Sequence, residues 1–219
     1  MTKPRRQTLS ALLFLLTLAL SAPAAPAGAG PLDDAGLVEV TTLAPSIVLD
    51  IRYATADNFT GQPVYPAAKC FLRRDVAQRL VAAQAALQAQ GLGLKVYDCY
   101  RPFSIQKRFW SLVPNDNYVA KPVEKDGKPF QGSKHNRGAA VDLTLIDAAG
   151  RELVMPTGYD DFSEKAGRNY PGNSPEAQAN MKKLEAAMTA QGFAPLSSEW
   201  WHFDGPGWEG YELLDAPID

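Results

Sequence analysis

Ser133-Lys-His135-Asn-Arg-Gly138-Ala-Ala-Val-Asp142-Leu-Thr-Leu145 joins a loop histidine, a glycine turn and a strand interrupted by a carboxylate. Ala139 to Ile146 reads as a buried strand, because its residues are apolar except for Asp142 and Thr144. A bare carboxylate is costly to bury. A metal or a strong hydrogen-bond donor would remove that cost. A strand-end aspartate facing water is the other reading. Gly138 allows a tight backbone turn, so His135 can fold back on Asp142.

The chain has only one other histidine, His202, in Glu199-Trp-Trp-His202. Taken alone, it reads as a satisfied structural histidine. Imidazole is, however, the commonest metal-ligating side chain. His135, Asp142 and His202 together supply three protein ligands and leave a position for water, the arrangement of a catalytic zinc. Calcium or magnesium would call for more oxygen ligands. Glu199 is the candidate general base. It could instead be a surface glutamate, although Trp200, Trp201 and Phe203 argue against a solvated setting. Residues three apart on a flat strand face opposite ways. A bulge or bend near Trp200 or Trp201 is therefore needed if Glu199 and His202 serve one site.

Around these segments the chain mixes strands and helices without regular alternation. Strand-like runs occupy 37–53, 94–100, 139–146 and 196–204. Helical spacing covers 71–90, closed by Gly91 and Gly93. Ser104 can cap a helix to about Leu112, and Ser174-Pro175-Glu176 starts another that runs to about Ala190. The polar stretch 114–132 reads as a surface loop with a turn at Asp126-Gly127. The expected fold is α+β, a single domain with a central, largely antiparallel sheet and flanking helices.

The 219 residues have a formal net charge of -2 and no basic block, which argues against nucleic acid as the main partner. Lys3, Arg5 and Arg6 precede an apolar run from Leu9 to Leu20, followed by small residues and prolines. This is the pattern of a secretory signal peptide over 1–29, with cleavage between 24 and 29 and a catalytic domain over 30–219. The expected product is exported, periplasmic or secreted, with no membrane anchor after cleavage. Export favours a disulfide between Cys70 and Cys99 over two buried thiols.

Ser-x-His-x-x-Gly-x-Ala-x-Asp followed by Glu-x-x-His resembles the zinc D-alanyl-D-alanine peptidases, a superfamily sharing its fold with the Hedgehog signalling domain. Asp50-Ile-Arg-Tyr-Ala-Thr-Ala-Asp-Asn-Phe-Thr-Gly61, Tyr97-Asp-Cys-Tyr-Arg-Pro102 and Ser198-Glu-Trp-Trp-His202 are similar to the VanX-type dipeptidases. The resemblance implies one zinc ion on His135, Asp142 and His202, with Glu199 as base. Arg101 matches the arginine that stabilises the transition state, with Asp98 placed to orient it. Ser133 would help hold the substrate. Asp160 aligns with an aspartate that binds the dipeptide ammonium; Asp161 is adjacent, and a turn or capping role is the alternative. Cys99 stands where the motif commonly has glycine. The implied substrate is a small D,D-dipeptide, in connection with peptidoglycan turnover. A D,D-carboxypeptidase acting on stem peptides and a non-catalytic zinc-bearing module are the competing readings.

Overall fold

The computed structural model describes residue 1 and residues 30–218. The expected signal peptide lies outside the described residues. Helix α1 (Pro31–Asp34), strand β1 (Leu37–Glu39), helix α2 (Val40–Leu43) and strand β2 (Val48–Leu49) come first. Strand β3 (Phe71–Arg73), helix α3 (Arg74–Gln88) and strand β4 (Leu92–Asp98) follow. Helix α4 (Phe103–Leu112) leads to a hairpin of β5 (Val123–Lys125) and β6 (Lys128–Gln131). Strand β7 (Ala140–Asp147), helix α5 (Pro175–Thr189), β8 (Ala194–Pro195) and β9 (His202–Asp204) complete the order.

The main sheet has five strands in the order β2-β4-β7-β9-β8. Only β2 and β4 run parallel; the other pairs are antiparallel. Strand β7 is flanked on both sides, and Ala140 to Ile146 are all buried. Helix α3 packs on β4, α5 packs on β7, and the two helices touch. Each turns an apolar stripe inward: Val76, Leu80, Ala83 and Leu87 from α3, Met181, Leu184 and Met188 from α5. That spacing follows the helical period. Along β7, Val141, Leu143 and Leu145 alternate with Asp142 and Thr144, so the polar pair lies on the opposite face of the sheet.

A bulge decides which face Asp98 joins. Val96 pairs with Leu143, but Asp98 pairs with Asp142, and the register shifts between them. The extra residue, Tyr97, rotates Asp98 onto the Asp142 face.

Several expected boundaries move. Residues 71–73 pair with β1 instead of starting the helix. The expected strand over 37–53 reduces to β1 and β2, with a 3-10 turn at Arg52–Ala54. Pro102, not Ser104, takes the cap position of α4, and the Ser104 N–H donates to Asp215 Oδ1 at 2.7 Å. Ser174 does cap α5, accepting from the Ala177 N–H at 3.1 Å. The expected strand 196–204 is strand only at His202–Asp204; 196–201 is the turn joining β8 to β9. Among the described residues no helix is long and apolar enough to cross a membrane.

Candidate active site

Asp98, Asp142 and His202 form one row across β4, β7 and β9, because Asp142 is the register partner of both others. Glu199 reaches the row from the β8–β9 turn. The Leu196 N–H donates to the His202 carbonyl at 3.2 Å, and the Trp200 N–H to Ala166 O at 3.0 Å. The backbone thus bends before β9, and Glu199 Oε2 lies 3.9 Å from His202 Nδ1. The bend required by the sequence is this turn, not a bulge within a strand.

His135 comes from a short 3-10 turn, Lys134–Arg137. Ser133 Oγ accepts from the His135 N–H at 3.3 Å, and Asn136 Oδ1 from the Ser133 N–H at 2.8 Å, a reciprocal cap. Gly138 closes the turn at φ +66°, where a Cβ would collide with Leu37. Asn136 Nδ2 also donates to Arg101 O at 2.8 Å, and the Arg101 N–H to His135 O at 3.1 Å. The histidine turn and the arginine segment are stitched together by these bonds.

The outer hydrogen bonds fix both imidazoles. His135 Nδ1 lies 2.7 Å from the Cys99 carbonyl oxygen, which can only accept, so Nδ1 carries the proton. His202 Nε2 donates to Asp204 Oδ1 at 2.9 Å, and Asp204 Oδ2 pairs with Lys134 Nζ at 2.5 Å. His135 Nε2 and His202 Nδ1 are left facing Asp142 Oδ1, at 3.3 and 2.9 Å. All three atoms lie within 4.8 Å of one another. Three electron-pair donors turned inward call for a positive occupant, and the set suits a metal ion. Without one, a proton takes the role. Burial disfavours the His202 imidazolium, but hydrogen bonds to Asp142 and Asp204 outweigh it and push its pKa to about 10. Burial likewise favours neutral Asp142, yet the two histidines hold its carboxyl far below the usual range.

Arg101 is buried and clamped. Its Nε and Nη2 donate to Asp98 Oδ2 at 3.1 and 2.6 Å, and its Nη1 to Gln106 Oε1 at 2.8 Å. Asp98 is itself held by the Tyr65 hydroxyl at 2.7 Å. The guanidinium faces a cavity of about 270 Å³. Arg101, Ser133, His135, Glu199 and His202 all line it. Burial, then the charge of Asp142, raises the Glu199 pKa above the ordinary carboxylate value.

Asp160 is not among the residues lining that cavity; the Tyr53 hydroxyl lies 3.0 and 3.2 Å from its two oxygens and links it through Tyr159 to Asp142. Asp161 instead accepts from the Ser163 N–H at 3.0 Å, a local turn contact. Cys70 and Cys99 form a disulfide with Cα atoms 5.2 Å apart, tying the end preceding β3 to the residue whose carbonyl holds His135.

Gln106, Asn136, Lys134, Tyr159 and Asp204 were not singled out from the sequence. Asp204 had a usable signal, since residues two apart on a strand share a face and it follows His202 by two. The others reach the site from loops or a different helix and leave no periodic trace.

Comparison with known proteins identifies the family. The peptidase M15 family, described as "D-ala-D-ala dipeptidase", matches residues 33–216. The D-alanyl-D-alanine dipeptidase of Escherichia coli (strain K12) is 38% identical over 182 residues, 83% of this chain and 91% of that protein. The D-alanyl-D-alanine dipeptidase of Enterococcus faecium is 34% identical over 168 residues, 70% of this chain and 83% of that one. A solved vancomycin-resistance D,D-dipeptidase, VanXYg, bound to a D-Ala-D-Ala phosphinate analogue, is 19% identical with a TM-score of 0.29. It covers 79% of this chain and 68% of that one. The extent of the family match and the identity to the E. coli protein place this chain in the M15 D-Ala-D-Ala dipeptidase family.

Proposed function

We propose that the protein is a zinc dipeptidase that hydrolyses D-alanyl-D-alanine and related small D,D-dipeptides outside the cytoplasm, in peptidoglycan turnover. The observation that carries this is the convergence of His135 Nε2, Asp142 Oδ1 and His202 Nδ1 within 4.8 Å. Two imidazoles with one carboxylate suit zinc and leave a position open, whereas calcium and magnesium prefer more oxygen. When bound, the metal supplies Lewis acidity and a lowered water pKa.

The remaining chemistry belongs to the side chains. Glu199, with its raised pKa, accepts the proton of the attacking water and returns it to the departing amine. Arg101, fixed by Asp98 and Gln106, meets the negative charge growing on the scissile carbonyl oxygen. Asp160 receives the dipeptide ammonium, and Ser133 lies on the cavity wall to contact the substrate. No covalent acyl-enzyme is required. The signal-peptide pattern over 1–29 supports export, which would separate the enzyme from a cytoplasmic dipeptide pool and favours recycling or nutrient use over resistance.

The test is a panel of dipeptides of each stereochemistry, with a D-Ala-D-Ala-ended stem peptide, run with and without a chelator. D,D-dipeptide hydrolysis that vanishes on metal removal and returns with zinc is expected. Glu199→Gln that still binds metal should lose about 10²–10⁴ in kcat. Activity surviving complete metal removal, or near wild-type turnover by Glu199→Gln, overturns the reading.

A further inference from the structure

Tyr159 belongs to none of the metal-site motifs, yet its hydroxyl donates to Asp142 Oδ2 at 2.9 Å. The two oxygens of Asp142 therefore have different partners. Oδ1 faces His135 Nε2 and His202 Nδ1, at 3.3 and 2.9 Å, while Oδ2 is tied away from them. The tyrosine cannot swing freely. Its ring stacks on Tyr97 with centroids 4.7 Å apart and meets Trp201 edge-on at 5.5 Å. Tyr97 is the bulge residue that also turns Asp98 toward the site.

The direction of the hydrogen bond is settled by competition for one proton. Tyr159 also lies 3.3 Å from the Tyr53 hydroxyl, but Tyr53 gives its own proton to Asp160. The shorter contact to a charged acceptor is the stronger one, so the Tyr159 proton goes to Asp142.

We infer that Tyr159 is a positioning residue for Asp142: it occupies Oδ2, so that the carboxylate ligates a metal through Oδ1 alone and a coordination position stays open. This rests on the metallopeptidase reading above. A carboxylate free to rotate could offer both oxygens and fill the position that water needs. Hydrogen bonds to metal ligands from the surrounding shell are generally worth about 10–100-fold in metal affinity.

The experiment uses Tyr159→Phe, which keeps the ring and its stacking and removes only the hydroxyl. Zinc affinity is measured on substrate-free protein by competition with a chelating dye, and the visible spectrum is recorded after loading with cobalt(II). Tyr53→Phe is the control, because Tyr53 makes no hydrogen bond to Asp142. The expected result is about tenfold or greater weakening of zinc binding in Tyr159→Phe, with near-UV circular dichroism unchanged. Its cobalt bands should lose intensity as coordination number rises, while Tyr53→Phe stays within about twofold of wild type in zinc affinity. Equal zinc affinity and identical cobalt spectra for Tyr159→Phe and wild type overturn the role of Tyr159 alone. Wild-type protein that takes up no metal overturns the underlying reading as well.

Discussion

Asp142 and His202 face each other across β7 and β9, with Oδ1 of one 2.9 Å from Nδ1 of the other. They are 60 residues apart in the chain, and the antiparallel register alone makes them neighbours. A direct opposition of this kind leaves little slack. Anything that shifts the strands or the turns feeding them therefore reaches the chemistry.

Arg101→Lys should keep the charge and lose the fork. Asp98 Oδ2 now receives two guanidinium bonds, and a lysine can give only a point charge there. The expected outcome is a fall of about 10²–10³ in kcat with zinc content unchanged. Steady-state kinetics beside metal analysis checks it; wild-type kcat in the lysine variant contradicts the assigned role.

Asp160 gives a pH signature. Burial, then the negative charge of Asp142, pushes its pKa up to about 8, against the pull of Tyr53 and Arg101. A substrate ammonium needs the ionised carboxylate, so KM should fall as pH rises toward 8. A metal on Asp142 removes part of the repulsion and moves that limb lower. In the complex the ammonium holds Asp160 ionised, so kcat should not share the limb. The substrate amine itself loses its proton near about 8, which sets the alkaline side. KM profiles of wild type and Asp160→Asn separate the two, because only the acid-side change should vanish in the variant.

Gly138→Ala should unfold the histidine turn. The position has φ +66°, and an added Cβ meets the Leu37 side chain. Backbone strain plus the clash should cost about 2 kcal/mol or more. Urea denaturation should show a lower midpoint, and zinc affinity should drop because His135 is carried by this turn. An unchanged midpoint would count against the steric reading.

Replacing both Cys70 and Cys99 by serine opens a loop of sequence separation 29. Loop-closure entropy puts the loss at about 3–4 kcal/mol. For a domain of this size that is a drop of roughly 10 °C in Tm. Calorimetry is the check. Zinc affinity should also weaken, since the Cys99 carbonyl fixes the His135 tautomer.

Much of this was legible in residue order. The alternation of Val141, Leu143 and Leu145 with Asp142 and Thr144 marks a strand with one polar face. Gly138 marks a left-handed turn, and Ser174-Pro175 marks a helix start. Short motifs name the ligands because Glu199 and His202, or His135 and Asp142, are close in sequence. The misplaced strand boundaries at 71–73 and 196–204 share one cause: β3, β8 and β9 are two or three residues long, and pairing with distant strands, not local propensity, makes them strands.

The sequence by itself determined which side chains can bind a metal, abstract a proton and carry a fixed positive charge, since those are properties of residue type and local spacing. Tertiary structure alone decided that they meet. The β7–β9 register set Asp142 against His202, the bulge at Tyr97 turned Asp98 toward Arg101, and the β8–β9 turn brought in Glu199. Tyr159 and Lys134, which hold the ligands from behind, also became visible only there. The reason is physical: hydrogen bonds between distant segments depend on strand register and side-chain direction, and neither is written in the spacing of a motif.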